Sequence, residues 1–212
     1  MVEIAAGRIE ALATRDVVLA SDTDSHRKQL TAAGLSFRAV VPDVDEEAVH
    51  EVLLRDNEEI DPGDVAELLA RKRAEETSTR LPGALVIGAD QTLSLNGRIF
   101  HKPEDFSSAR DILFDLRGET HQLHSAVALA EDGQVTWTYI ETAHLTMRQL
   151  SAQLVARYLA AAGPQVYQSS GAYQLDGLGI QLFDRIDGDY FAIVGLPVLQ
   201  LLARLREIKL LA

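Results

Sequence analysis

The chain has 212 residues, of which 47% are hydrophobic and 25% charged, enough apolar material for one substantial α/β-sized domain and too much for a disordered chain. A formal net charge of −12 argues against binding a nucleic-acid polymer or an anionic membrane, both of which select clustered Lys and Arg. The absence of cysteine excludes a disulfide framework, a zinc–thiolate site and a cysteine nucleophile.

In chain order, residues 1–15 read as an N-terminal extension, with a helix-favouring stretch over 5–14 whose charges do not suit a signal peptide. Without any long apolar run elsewhere, a cytoplasmic setting is expected. Residues 16–20 predict a short buried strand. A polar turn beginning at Ser21 and a helix ending near Gly34 follow. Residues 37–41 predict a second strand closed by Pro42, so the chain opens as an α/β unit.

An acidic stretch, Asp43-Val-Asp-Glu-Glu47, comes directly after that strand, and residues 56–60 read as a polar connection. Asp61-Pro-Gly-Asp64 resembles a helix entry, with the helix running from 65 towards 76 and broken over 77–83 by polar residues, Pro82 and Gly83. Ala84-Leu-Val-Ile-Gly88 is the clearest buried strand, and Asp90 is expected just beyond its end. Residues 93–95 and 98–100 flank Asn96-Gly97 as a hairpin, and 121–130 and 134–140 flank Asp132-Gly133 as another. Helices are predicted over 106–116, 150–162 and 197–210, with a glycine-bearing loop over 167–179 and a strand over 180–186. The prediction is a single mixed α/β domain.

Several residues invite chemistry. A carboxylate such as Asp90, delivered by a buried strand into a crevice, suits metal binding or proton abstraction from water. Taken alone, Asp90 serves equally well as a turn former. Asp43, Asp45 and Glu46 offer hard oxygen ligands for Mg²⁺ or Mn²⁺, although charge runs are more often plain solvated surface. His26-Arg27-Lys28 near a helix N-terminus suits phosphate, and Lys102 before Pro103 is a second cation to consider. No P-loop, dinucleotide fingerprint or H-E-x-x-H motif occurs, and His121 and His124 read as structural.

Taken together and in order, Val18-Leu-Ala-Ser21, Asp43-Val-Asp-Glu46, Val86-Ile-Gly-Ala-Asp90, His101-Lys-Pro103, Gly171-Ala-Tyr173, Ile186-Asp-Gly-Asp-Tyr190 and Val194-Gly-Leu-Pro197 resemble the Maf family of nucleotide pyrophosphatases. The resemblance spans nearly the whole chain. It implies an elongated, two-lobed α/β fold with a mixed sheet and a central cleft, like that of inosine-triphosphate pyrophosphatases. It also implies metal-dependent cleavage of a nucleoside triphosphate to monophosphate and pyrophosphate, and a homodimer.

By the same resemblance, Asp90 is the catalytic aspartate, and Asp45, Glu46 and Asp90 hold a divalent cation, Mg²⁺ or Mn²⁺. Ser21, His26, Arg27, Arg73 and Lys102 contact phosphates. Ser25, Gln91 and Asp176 govern substrate choice, with Gln91 and Asp176 resembling the branch that cleaves 7-methyl-GTP. The loop departs from the family pattern: Ser21-Asp-Thr-Asp-Ser-His-Arg27 has no proline, His26 stands at a usual arginine place and Arg73 at a usual lysine place. That departure implies an alternative, a catalytically weak nucleotide-binding regulator of cell division.

Overall fold

In the computed structural model, residues 15–45 and 60–211 are described. Among them, β1 (Val17–Ala20), β2 (Arg38–Val40), β3 (Leu85–Leu95), β4 (Arg98–Phe100), β5 (Thr120–Glu131), β6 (Gln134–Met147) and β7 (Phe183–Asp187) build one seven-stranded mixed sheet. Its order is β2-β1-β3-β5-β6-β7, with β4 pairing to β3. The helices are α1 (Asp24–Ala32), α2 (Pro62–Arg80), α3 (Phe106–Leu116), α4 (Ala152–Ala162), the short α5 (Tyr190–Ile193) and α6 (Val198–Glu207).

The sheet has two characters. β2, β1 and the start of β3 are parallel, and β1 is buried along its whole length, as an apolar Val-Val-Leu-Ala run covered on both faces requires. From β3 onward the neighbours β5, β6 and β7 are antiparallel. Asn96-Gly97 and Asp132-Gly133 supply the paired positive φ angles that tight hairpins need.

Four boundaries differ from the sequence reading. β3 does not stop at Gly88 but continues to Leu95, so Asp90 lies inside a strand rather than beyond its end. α2 begins at Pro62, capped by the Asp61 carboxylate on the Gly63 N–H, and runs through the polar residues 77–79 to Arg80. The Ser78 and Thr79 hydroxyls donate back to the Glu75 carbonyl at 3.0 and 2.9 Å, so these polar side chains are satisfied within the helix. β6 continues to Met147, beyond the expected 140, and residues 178–182 form a 3₁₀ turn before β7 begins. The expected helix over 5–14, nearly all of the connection at 56–60, and Glu46 and Glu47 lie outside the described residues.

Packing explains where a cleft opens. Ala66, Ala70 and Ala74 of α2 face Val18, Ala20, Val86, Ala126, Ala128 and Ala130 across the sheet, small against small. A Cβ at Gly88 would stand 2.1 Å from the Ala70 carbonyl oxygen, so helix and strand backbones are nearly in contact there. The opposite face carries α6 through Val198, Leu201 and Leu205 against Leu19, Leu85, Ile87 and Leu129. A separate core gathers the far half of β3 and β5 with α3 and α4, through Leu93, Phe100, Leu113, Leu123, Leu145 and Leu159. Leu85, Ile87 and Ala89 therefore belong to one core and Leu93 to another, with Asp90–Thr92 spanning the junction.

Candidate active site

One edge of β3 pairs continuously with β5 over 86–94. The other pairs with β1 over 85–88, then with β4 over 93–95. Among the described residues, neither β1 nor β4 reaches 89–92 on that second edge, and backbone groups there find side chains instead. Arg73 of α2 provides one: Nη1 donates to the Ala89 carbonyl at 2.7 Å. Its Nη2 lies 2.9 Å from Asp90 Oδ1 in a pair whose side chains are only 8% and 12% exposed. The close approach at Gly88 brings α2 near enough for that contact. Thr92 is fixed in the same way, its hydroxyl donating to the Pro62 carbonyl at 2.7 Å.

Alternation along the strand sends Asp90 and Thr92 towards α2 and Gln91 towards α5. Gln91 Nε2 lies 2.7 Å from Ser125 Oγ, 3.0 Å from the Ala192 carbonyl and 3.1 Å from the Ile193 carbonyl. Ser125 Oγ also donates to Ala192 O at 2.7 Å. The turn following α5 is thus tethered to the strand beside Asp90.

A cleft of about 630 Å³ opens beside this stretch of β3. Asp90, Gln91, Arg73 and Lys102 line it, as do Ser25, His26 and Asp176. Residues spread along the chain from Ser25 to Asp176, from α1, α2, β3, the segment after β4 and the 171–176 turn, therefore share one space. In a chain of net charge −12, three permanent cations (Lys28, Arg73 and Lys102) are gathered here. Asp24, Asp90 and Asp176 line the cleft as well, so the three cations are balanced by three carboxylates, in contrast to the acidic excess of the chain as a whole.

Other expected site residues stand elsewhere. Arg27 is not part of the cleft wall; it forms an ion pair with Asp24 one helical turn back. Lys28, three residues after Ser25 and so on the same helical face, lines the cleft instead. That spacing was available in the sequence and identifies the better cation. Ser21 is buried and lies behind the wall, 2.9 Å from His26 Nδ1. Asp45 does not line the cleft, and the acidic stretch it belongs to starts beside α2, where the Asp43 N–H donates to Glu76 Oε2 at 3.2 Å.

His26 is a cleft residue of a different kind from that expected. Burial first, and the positive charge of Arg73 second, push its ring down to about 4, against a hydrogen bond to the Gly195 backbone that favours the protonated form. At neutral pH the ring carries no charge, so it adds no cation to the cleft. Lys102 acts on it in the same direction, which sets all three side chains within one another's fields.

On the opposite wall the sequence reading singled out Asp176 for substrate choice, gave Tyr173 only as part of a motif and missed Gln174. Tyr173 and Gln174 line it beside Asp176. Tyr173 is held by a 2.7 Å contact between its hydroxyl and His121 Nε2 and by an edge-on contact with Phe183. His121 is fully buried, its ring pushed down to about 4 by desolvation, in keeping with a structural role. His124 is likewise buried, with Ser94 Oγ 3.0 Å from Nε2. Ala172 turns the chain with φ +54, the left-handed region.

The donor set for a metal is sparse. Among the described residues no three His, Asp or Glu side chains gather. Of the expected ligands among the described residues, Asp90 borders the cleft and Asp45 does not. The Asp90 carboxylate suits Mg²⁺ or Mn²⁺ that arrives with phosphate oxygens and keeps several waters. Also among the described residues, no helix is long and apolar enough to cross a membrane.

Comparison with known proteins bears directly on this cleft. Residues 16–208 match the family model described as Maf-like protein. A 7-methyl-GTP pyrophosphatase from Brucella abortus is 49% identical over 92% of this chain and 98% of its own length. Another from Mesorhizobium japonicum is 50% identical, covering 92% and 97%. A nucleoside triphosphate pyrophosphatase from Bradyrhizobium diazoefficiens is 46% identical, covering 92% and 95%. The match takes in every described strand and helix, including all the elements that wall the cleft, and the chain belongs to the Maf family.

Proposed function

We propose that this chain is a nucleoside-triphosphate pyrophosphatase that cleaves between the α and β phosphates, with 7-methyl-GTP or a similarly modified guanine nucleotide as its substrate. The observation that carries this reading is the convergence of Asp90 with Lys28, Arg73 and Lys102 on one cleft beside β3, between its pairing with β1 and with β4. The names of the relatives at 46–50% identity support it.

In this reading the triphosphate lies between the N-terminus of α1 and Lys102. Thr23 makes no side-chain cap, so the first-turn amides of α1 face the phosphates without a competing acceptor from that residue. Arg73 holds Asp90 through Oδ1, which fixes the carboxylate's orientation. Asp90 accepts a proton from a water that attacks the α phosphorus; the bond to the bridging oxygen breaks, and pyrophosphate leaves with the electron pair. Lys28, Lys102 and Arg73 offset the charge that builds on the leaving group. A divalent cation, Mg²⁺ or Mn²⁺, would be held by Asp90, with Glu46 and, only if its segment moved to the cleft, Asp45 as further proposed ligands; it would supply charge neutralisation and a more acidic water.

At the far end of the cleft Asp176 accepts hydrogen bonds from the N1–H and amino group of guanine, while Ser25 and Gln91 shape the remaining wall. A cytoplasmic nucleotide pool is the setting this implies. The test is pyrophosphate release from canonical and methylated nucleoside triphosphates with Mg²⁺ or Mn²⁺. Turnover is expected to be greatest with 7-methyl-GTP and to fall by about 10²–10⁴ in Asp90→Asn. Absence of turnover by the unaltered chain would overturn the reading, and nucleotide-dependent thermal stabilisation in that case would mark a binding protein instead.

A further inference from the structure

His26 occupies an unusual place for a residue on a helix that faces phosphates. It is 3% exposed, it borders the cleft, and both of its ring nitrogens face protein. Nδ1 lies 2.9 Å from Ser21 Oγ, and that oxygen already accepts the Thr23 N–H at 3.1 Å. The other nitrogen faces Gly195: a Cβ built there would come within 2.9 Å of Nε2. The hydrogen bond to the Gly195 backbone favours the protonated ring, so the partner at Gly195 is an acceptor and Nε2–H the donor. A neutral ring that donates from Nε2 must accept at Nδ1, which makes the Ser21 hydroxyl the donor. The relay runs Thr23 N–H to Ser21 Oγ, Ser21 O–H to His26 Nδ1, and His26 Nε2–H to Gly195.

The turn it reaches is the one tied to β3. Gln91 Nε2 contacts the Ala192 and Ile193 carbonyls, and Ser125 Oγ contacts Ala192 as well. Two arms therefore meet on residues 192–195, His26 from the first turn of α1 and Gln91 from the residue next to Asp90. β1 and β3 are paired only as far as Ala20 and Gly88. Past that point, the relay through the turn is a lateral link between the helix that faces the phosphates and the strand that carries the carboxylate.

We infer that His26 is a positioning residue, a neutral clasp that sets the first turn of α1 against the 192–195 turn and through it against Asp90, and that it does not contact phosphate as a charge. The inference rests on the pyrophosphatase reading for its kinetic consequence, but its geometry stands apart from it. It also inverts the expectation from the sequence. If His26 were a weakened cation, arginine at that position would strengthen nucleotide binding. In a clasp, arginine buries a charge close to Arg73 and loses the acceptor for Ser21, whereas glutamine retains one acceptor and one donor.

The experiment compares His26→Gln, His26→Arg and His26→Ala in the full chain, reading KM and kcat for pyrophosphate release from 7-methyl-GTP and amide hydrogen exchange without nucleotide over 21–28 and 190–196. His26→Gln is expected to stay within about threefold of the unaltered chain, while His26→Ala and His26→Arg raise KM about tenfold with a smaller change in kcat, the scale of one or two lost hydrogen bonds. In those two variants exchange should quicken in both segments together. Should His26→Ala fail to fold, Ser21→Ala removes one link of the relay, and a smaller paired loosening is expected. An arginine variant that matches or betters the unaltered chain would overturn the clasp, as would loosening of 21–28 alone. If no nucleotide is turned over, the function fails while the exchange comparison still decides the clasp.

Discussion

The two sides of the cleft are held by different kinds of force. On the α2 side, Asp90 sits in the middle of an eleven-residue strand, between two apolar cores and under a helix whose backbone nearly touches Gly88. On the α1 side, the residues facing the same space come from a nine-residue helix and a turn joined by a short relay of hydrogen bonds. Close packing tolerates little displacement, whereas single hydrogen bonds contribute only about 1 kcal/mol each. The carboxylate is thus fixed by the fold, and the groups proposed to grip phosphate are fixed by local contacts. A strand-borne base with an adjustable loop is an arrangement that can change substrate without rebuilding the core.

Breaking the packed side should cost most. Gly88→Ala places a methyl group against the Ala70 carbonyl and Ala74 backbone nitrogen, and unfolding by urea should show a loss of about 3 kcal/mol or more, with activity lost through α2 moving off Asp90. A variant as stable as the unaltered chain would mean that the helix can retreat and that packing does not set the carboxylate.

Acid should act on both sides at once. His26 and His121 are each pushed down to about 4 in the folded protein, whereas an unfolded histidine titrates near its ordinary value of 6.5. Between those values the unfolded chain takes up protons that the folded chain refuses, so stability is intact above about pH 6.5 and falls as the pH drops towards 4. The loss is up to roughly 3 kcal/mol for each ring. His26→Gln should remove one ring's share of that slope, and an unchanged slope in that variant would show that the ring is not buried neutral.

On the hydrogen-bonded side, Gly195→Ala adds a Cβ to a residue at φ +120 and within 2.9 Å of His26 Nε2. A stability loss of about 1–2 kcal/mol is expected, with KM for the nucleotide rising more than kcat falls. An equal fall in kcat at constant KM would place the turn on the chemistry and not on binding. The smallest effect belongs to the far end of α2, where Asp61→Ala removes a cap worth about 1 kcal/mol and should leave turnover unchanged, as a calorimetric scan beside an activity assay would show.

Much of this was legible in the sequence. The Asn96-Gly97 and Asp132-Gly133 turns, the buried run at 84–88 and the α/β opening all announce themselves through local chemistry. So did the set of cleft residues Ser25, His26, Arg73, Asp90, Gln91, Lys102 and Asp176, although through resemblance more than through any one residue. The extent of β3 was not legible, because Asp90, Gln91 and Thr92 are polar and read as a break between the buried run at 84–88 and the hairpin strand at 93–95. They remain in the strand because Arg73, Ser125 and Pro62 meet their side chains from distant positions. The same limit applies to charge. From sequence, His26 and Arg27 count as cations at a helix start, but burial neutralises the first and Asp24 engages the second, while Lys28 takes the inward face.

The central claim is that Asp90 directs a water onto the α phosphorus. Turnover of 7-methyl-GTP in ¹⁸O-enriched water, read by ³¹P NMR or mass spectrometry, tests it most directly. The account predicts unlabelled pyrophosphate and a monophosphate carrying one ¹⁸O, with both products lost in Asp90→Asn. Label in the pyrophosphate, release of inorganic phosphate with a diphosphate, or full turnover by Asp90→Asn would contradict it.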